Sequence, residues 1–383
     1  MSASAPVDPP AIPRVDPIDL RGEWTQYVSS HLAGRGDSSL RYGGRLDGYV
    51  RIDGERAGLW KGLTINAQAE FIYGKSTNRI GDLVLLPVNA GLLVPTVNDE
   101  GFDFSLNVVQ RFGKFRIQLG KINLFDASSA VPISSGGGKQ GFQHVGLASP
   151  PGMLVSTKVL GGIATVQAGR LIFNLGIWTP EDWTRRYLPR VAFDHGVNGM
   201  IAVVLPARIA GRRGFHTFTI YGSNRRVNGQ EEYPDLQPPE GSSSIFPSTK
   251  GGTHIRYTVQ QYLWEDPADP QRGWGFFGHF GVSKGVPGII DWTTNVGLAG
   301  SVPFRGRPRD RFGIGYYRYS LTQRLIDGLA PRFPLGYEQG GEIYYTARIA
   351  KRADLTFSGQ LVDPVVASAP KAAYLNLRLK AEF

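Results

Sequence analysis

The sequence contains no cysteine, and this absence limits the chemistry of the protein. Disulfides, thiolate metal sites and cysteine nucleophiles are excluded by the count alone. Methionine is also scarce, with 3 residues, whereas the 383 residues include 50 glycines and 11% aromatics. Such a composition is typical of strands and turns rather than of packed helices. It favours an all-β chain, and a barrel accommodates this length as one unit.

The chain also lacks a long uninterrupted hydrophobic run. The longest apolar stretch, residues 83–95, is interrupted by Pro87, Asn89 and Gly91 and falls short of the ~18 residues of a membrane helix. No signal peptide precedes the Ala- and Pro-rich start, so we expect that one has been removed. Residues 1–21 are then a flexible leader.

The net charge of +10 suggests a nucleic-acid partner for a soluble protein. The basic residues are nevertheless spread along the chain without a run of five or six, so we expect no nucleic-acid partner. The six histidines lack the paired spacing of a zinc site, and no GxSxG motif is present. We therefore expect no metal, no cofactor and no enzymatic activity, although a Ser/His pair on one barrel rim stays open as an alternative.

Alternation of apolar and polar side chains is the strongest pattern in the sequence. In residues 40–53, Leu46 and Val50 share one parity with other apolar residues, and Arg45 and Asp47 share the opposite parity with charged ones. Successive strand side chains point to opposite faces, so the two faces meet different surroundings. The pattern returns in residues 63–73, 102–108, 115–119, 254–260, 342–349 and 354–361.

A soluble β-sandwich also alternates, with its polar face toward water. Strands of 9 to 14 residues instead match the ~9–11 residues that cross a bilayer at a tilt. The last segment, residues 373–383, ends an amphipathic strand on Phe383 and resembles the C-terminal strand that the barrel-assembly machinery recognises. We therefore predict an all-β, single closed antiparallel transmembrane β-barrel in contact with outer-membrane lipid and lipopolysaccharide.

Several segments form a recognisable series along the chain: Gly22-Glu23-Trp24 with a helix-like continuation, LGKINLFD (119–126), GWGFFGHFG (273–281), and the segments 302–318 and 341–364. In this order they resemble the carbohydrate-selective porins of the OprB type. Residues 189–252 carry no recognisable motif. The resemblance implies about 16 strands, a short N-terminal periplasmic helix at residues 22–36, and a barrel over 37–383. It also implies a porin of the Gram-negative outer membrane through which small sugars diffuse passively.

Charged and polar residues on the lumen parity are the candidate solute contacts, because Arg forks and carboxylates replace water around sugar hydroxyls. They are Arg41, Arg45, Asp47, Arg51, Gln68, Glu70, Arg116, Arg256, Glu342, Arg348 and Arg378.

The long stretch 125–151 is the predicted constriction loop, with Lys139, Gln140 and His144 as its candidate residues. Trp178 and Trp183 are candidates for stacking on a sugar face, and an interfacial aromatic belt explains them equally well. A general or anion-favouring porin and a scaffold barrel for a partner protein remain alternatives. The sequence leaves open whether the barrel is a monomer or a homo-oligomer.

Overall fold

Sixteen antiparallel strands close a single barrel in chain order, with the first strand paired to the last. This arrangement confirms the predicted fold class and strand number. The computed structural model describes residues 16–78, 80, 86–93, 101–129, 131–134, 137–149, 157–187, 192–227, 249–269, 271–285, 289–304, 306–330 and 334–383. Most of the predicted leader, residues 1–15, and the end of the predicted constriction loop lie outside the described residues.

The strands follow one another with only short helical elements between them. They are β1 (Ile18–Ala33), β2 (Arg41–Asp53), β3 (Leu63–Gly74), β4 (Gly101–Phe112), β5 (Phe115–Asn123), β6 (Lys158–Ala168), β7 (Leu171–Trp178), β8 (Asn198–Ile209), β9 (Arg212–Val227), β10 (Thr249–Glu265), β11 (Gly273–Gly285), β12 (Ile290–Ser301), β13 (Arg311–Leu321), β14 (Tyr337–Ala350), β15 (Ala353–Asp363) and β16 (Ala372–Glu382). The helical elements are a 3-10 turn (Ala90–Leu92), α1 (Leu124–Ser129), α2 (Val145–Ala148) and α3 (Gln323–Leu329). No helix among the described residues has the length and apolar character needed to cross a membrane.

Burial alternates along the strands as the sequence pattern predicts. On β2, Leu46 is 42% exposed on the outer face, whereas the neighbouring Asp47 is fully buried on the inner face. On β16, Leu375 is 56% exposed and Asn376 is 2% exposed. Apolar side chains outside and polar side chains inside are the arrangement that a barrel in lipid requires.

The predicted helix at residues 22–36 is replaced by β1, which includes residues 18–21 of the predicted leader. The segment alternates like the other strands, since Trp24 is exposed on the outer face and Thr25 and Tyr27 are buried inside. β1 pairs with β2 on one side and with β16 on the other. A barrel without it would leave two unpaired sheet edges in the bilayer, where water does not satisfy backbone groups.

The connections differ in length at the two rims of the barrel. Two-residue turns at 113–114, 169–170, 210–211 and 351–352 lie on one rim of the barrel. The start of β1 and the end of β16 lie on the same rim. There the amide of Gly22 donates to the carbonyl oxygen of Phe383 at 2.9 Å, and the amide of Phe383 donates back at 3.0 Å. We call this the short-turn rim and the opposite one the long-loop rim.

Two connections from the long-loop rim fold into the barrel, and the described parts that do so are residues 86–93 and residues 124–129, 131–134 and 137–149. They pair with each other, because the amide of Ala90 donates to the carbonyl oxygen of Gln143 at 2.8 Å. Phe142 is fully buried and packs edge-on against Tyr344 and Phe277 of the wall. Together the two segments fill one side of the lumen.

Candidate functional site

A continuous chain of ion pairs runs along the lumen wall formed by β1 to β6. At its centre, Arg45 Nη2 donates to Asp47 Oδ1 at 2.5 Å and to Glu70 Oε1 at 2.6 Å. The other carboxylate oxygen of Glu70 accepts from Lys158, whose ammonium also donates to Asp103 Oδ2 at 2.6 Å. None of these five side chains is more than 3% exposed.

The chain of ion pairs extends in both directions. Lys121 Nζ donates to Asp103 Oδ1 at 2.7 Å. Lys139, from the inward segment between β5 and β6, donates to Asp126 Oδ1 at 2.8 Å, and its Nζ lies 3.5 Å from Glu23 Oε2. We call the following ten residues the acid–base ladder: Glu23, Asp47, Glu70, Asp103 and Asp126 with Arg45, Lys121, Lys139, Lys158 and Lys380.

Lys139 joins the inward segment to this wall. Burial disfavours its ammonium, but Asp126, Asp47, Tyr49 and Glu23 outweigh the desolvation and hold the pKa of Lys139 well above its usual value. Its Nζ also donates to Tyr49 Oη at 2.5 Å. Removing one partner of such a buried pair leaves an uncompensated charge, so the ladder fixes the segment firmly.

The same inward segment is bound through its backbone to the neighbouring wall, at β14 and β16. The carboxylate of Glu342 accepts from the amide of Gln143 at 2.9 Å and from the amide of His144 at 2.8 Å. Arg378 donates to the carbonyl oxygens of Gly138 at 2.8 Å and Gly141 at 3.0 Å. Glu342 and Arg378 therefore both hold the loop in place.

His144 caps α2 and is fully buried against the ring of Tyr317. Its Nδ1 accepts from the amide of Gly146 at 3.1 Å, so its Nε2 carries the proton and donates to Tyr317 Oη at 3.0 Å. The two rings stack with centroids 4.2 Å apart. Burial lowers the pKa of His144 to about 3, and the imidazole is neutral at pH 7.

A second row of lumen side chains is uncharged apart from one arginine and is only half buried. Asn66 Nδ2 and Gln118 Nε2 donate to Asn107 Oδ1 at 3.1 and 3.0 Å, and Arg116 Nη2 donates to Gln118 Oε1 at 2.9 Å. Thr165, which pairs with Arg116 in register, donates to Asn174 Oδ1 at 2.8 Å. We call Asn66, Asn107, Arg116, Gln118, Thr165 and Asn174 the amide track.

The predicted lumen residues thus fall into different environments. Arg45, Asp47 and Glu70 are buried in the ladder, and Gln68 joins it through a bond to Asp126 at 2.6 Å. Arg116 lies in the amide track. The remaining four are scattered: Arg41 pairs with Asp37 at the long-loop rim, Arg348 pairs with Asp354 at the short-turn rim, Arg51 is half buried, and Arg256 lies over the ring of Tyr221.

The constriction candidates lie together in the inward loop, where Lys139 and His144 are buried and Gln140 is exposed. The stacking role predicted for Trp178 and Trp183 is not supported, because both rings are 2% exposed. Trp178 packs with Ile122, Val159 and Tyr221 inside the protein. A ring covered in this way presents no face to a sugar.

Sequence reasoning missed five of the six residues of the amide track and six of the ten residues of the ladder. Asn66, Asn107 and Gln118 stand on polar parities, which is a usable signal, but a neutral amide indicates a solute contact less clearly than a charged side chain does. No group of three or more His, Asp or Glu side chains suited to a metal ion occurs among the described residues.

Comparisons with known proteins agree with this geometry. Residues 214–383 match the model of the family described as "Carbohydrate-selective porin, OprB family". The structure of Pseudomonas putida OprB at high pH superposes with a TM-score of 0.80 at 15% identity, covering 96% of this chain and 94% of that one. Vibrio cholerae OmpT gives 0.53 at 11% identity, covering 97% and 100% of the two chains, and Pseudomonas aeruginosa OccK8 (OprE) gives 0.51 at 9%, covering 96% and 98%. No curated protein sequence matches the chain.

A closed sixteen-strand barrel with an inward loop is the architecture of outer-membrane porins, which are channels rather than enzymes. Within that class, residues 214–383 carry the sequence pattern of the carbohydrate-selective OprB family, so the predicted family is confirmed over this range. At 15% identity, the likeness to Pseudomonas putida OprB extends the fold, and the fold alone, to the rest of the chain.

Proposed function

We propose that this barrel lets small neutral hydrophilic solutes, above all carbohydrates, diffuse passively past the inward loop. The amide track is the observation that carries the proposal. Amide and hydroxyl groups both donate and accept, so they exchange hydrogen bonds with a sugar hydroxyl in either sense. Weak, repeated contacts of this kind allow a solute to enter and to leave again.

The ladder has a different role in this proposal. Its charges are buried and paired, so they shape the wall and hold the loop, and a passing solute meets the half-buried amides instead. A surface made mainly of neutral amides and hydroxyls suits a neutral substrate, whereas a surface made mainly of exposed charges would retain bound water and counter-ions.

Liposome swelling with the double variant Asn107→Leu/Gln118→Leu tests the proposal. Each lost hydrogen bond is worth about 1 kcal/mol, so we expect entry of neutral monosaccharides to slow about fivefold or more. Conductance in KCl should change far less, because small ions do not need these groups. Gln323→Leu, an exposed position in α3, is the matched control. Equal sugar entry in both proteins would contradict the role of the track.

Several finer expectations rest on the outer-membrane class. We propose that a signal peptide directs export and is removed, that the strand ending at Phe383 is recognised by the barrel-assembly machinery, and that lipopolysaccharide contacts the long-loop rim. N-terminal sequencing of the protein isolated from outer membranes tests the first of these. Cross-linking in native membranes would distinguish a monomer from a homo-oligomer.

A further inference from the structure

A separate cavity of about 270 Å³ lies between the inward loop and the short-turn rim. Its walls come from residues 139–141 of the loop, from the connections before β11 and β13, and from the ends of β13 to β16. Seven lining residues are Lys or Arg and two are Asp. The volume is close to the lower end of the ~300–1,000 Å³ of ligand sites, so it accepts a molecule of monosaccharide size.

The strand register builds one wall of this cavity as an ordered row. Arg311 pairs with Thr346, Thr346 with Thr356, and Thr356 with Arg378 on four successive strands. The two threonine hydroxyls are 2.8 Å apart, and Arg378 Nη2 donates to Thr356 Oγ1 at 3.2 Å. The row therefore presents two hydroxyls between two guanidinium groups.

The positive charge of the cavity is only partly neutralised by the protein. Arg348 pairs with Asp354 at 2.5 Å, Arg272 pairs with Asp266, and Lys139 and Lys380 belong to the ladder. Neither Arg309 nor Arg378 has a carboxylate within ion-pair distance among the described residues. Arg378 is 1% exposed, and its Nε lacks a hydrogen-bond partner there.

We propose that this cavity binds a small oxyanion, a phosphate or carboxylate group carried by a permeating sugar-sized solute. Guanidinium forks match the geometry of such groups, and the hydroxyls between them supply further donors. A neutral sugar gains less here, because the surplus cations stay uncompensated. The inference deepens the proposed function by adding a class of anionic solute that meets a binding site after passing the loop.

The test uses the purified full-length protein in a planar bilayer with KCl as the current carrier and inorganic phosphate as the probe. We expect phosphate to reduce the current in a dose-dependent manner. In Arg309→Gln/Arg311→Gln the half-blocking concentration should rise about tenfold or more, because two charged contacts to an oxyanion are lost. This variant spares Arg378, which also holds the loop.

Arg170→Gln is the matched control, since it removes an exposed arginine from another turn of the short-turn rim. Phosphate should block this variant with the same half-blocking concentration as the unmodified protein. Absence of any phosphate block, or an equal half-blocking concentration in the double variant and the control, would overturn the site. Liposome swelling with a neutral monosaccharide, measured on the same proteins, reports separately on the proposed function. If the monosaccharide does not enter but phosphate still blocks the current, the proposed function is contradicted and the oxyanion site is retained.

Discussion

Replacing Glu342 by glutamine tests how the inward loop is held in the lumen. The carboxylate of Glu342 accepts from the backbone amides of Gln143 and His144, with three contacts between 2.8 and 3.0 Å. A glutamine amide retains one acceptor oxygen, and its NH₂ group faces the second backbone donor. Glu342→Gln therefore keeps the size of the side chain and removes about half of its accepting capacity.

The expected magnitude follows from these contacts. A lost hydrogen bond contributes about 1 kcal/mol, and the buried backbone donor left unsatisfied costs about 1–3 kcal/mol more. A net cost of about 2–4 kcal/mol favours the detached loop by about 30- to 700-fold relative to the native protein. Single-channel recordings of Glu342→Gln should then show larger current fluctuations.

Limited trypsin digestion gives an independent measurement, because Lys139 is 5% exposed in the seated loop. Cleavage after Lys139 tracks the population of the detached loop when opening is fast relative to cleavage. Glu55→Gln, at an exposed turn position, is the control and should leave both readouts unchanged. If Glu342→Gln also leaves current noise and cleavage unchanged, Glu342 does not hold the loop.

Two further predictions concern the same inward segments. Because burial lowers the pKa of His144 from 6.5 to about 3, the seated loop keeps its full stability above pH 6.5 and loses it as pH falls toward 3. At pH 5 the loss of stability from this group is about 2 kcal/mol. Trypsin cleavage should therefore rise from pH 7 to pH 5 more steeply in the native protein than in His144→Asn. Parallel pH profiles of the two proteins would show that protonation of His144 does not release the loop. Gly91→Ala places a Cβ 1.9 Å from Tyr27 Oη, which should destabilise the barrel by ~1–3 kcal/mol. Gly48→Ala, whose Cβ meets nothing within 4 Å, should not, and equal melting of the two variants in heat-modifiable gel mobility would refute the crowding argument.

The sequence pattern predicts the faces of the strands because lipid and lumen impose a strict period of two. That rule fails where the backbone changes its local geometry. Lys121 shares its parity with Leu119, yet Leu119 is 57% exposed outside and Lys121 is 7% exposed inside. Gly120 lies between them with a φ of 130°, a conformation that interrupts the alternation and turns the next side chain inward.

The sequence also does not reveal which charged side chains pair with each other when they belong to different strands. Glu70 and Lys158 are 88 positions apart in the chain and meet because β3 and β6 lie on the same wall. A pattern along one strand shows that Glu70 faces the lumen, but it does not show that a lysine neutralises it. Alternation along one strand therefore predicts these buried charges as solute contacts. It also gives no signal for the second inward segment, residues 86–93.

The acid–base ladder contains five carboxylates and five cationic groups, so the ladder itself adds no net charge to the passage although the whole chain carries +10. Dissolved salt screens exposed charges over about 10 Å at 0.1 M and affects buried pairs much less. A change in salinity therefore alters which ions gather at the two mouths of the pore. The position of the inward loop responds far less to salt, since most of the ion pairs that hold it are buried.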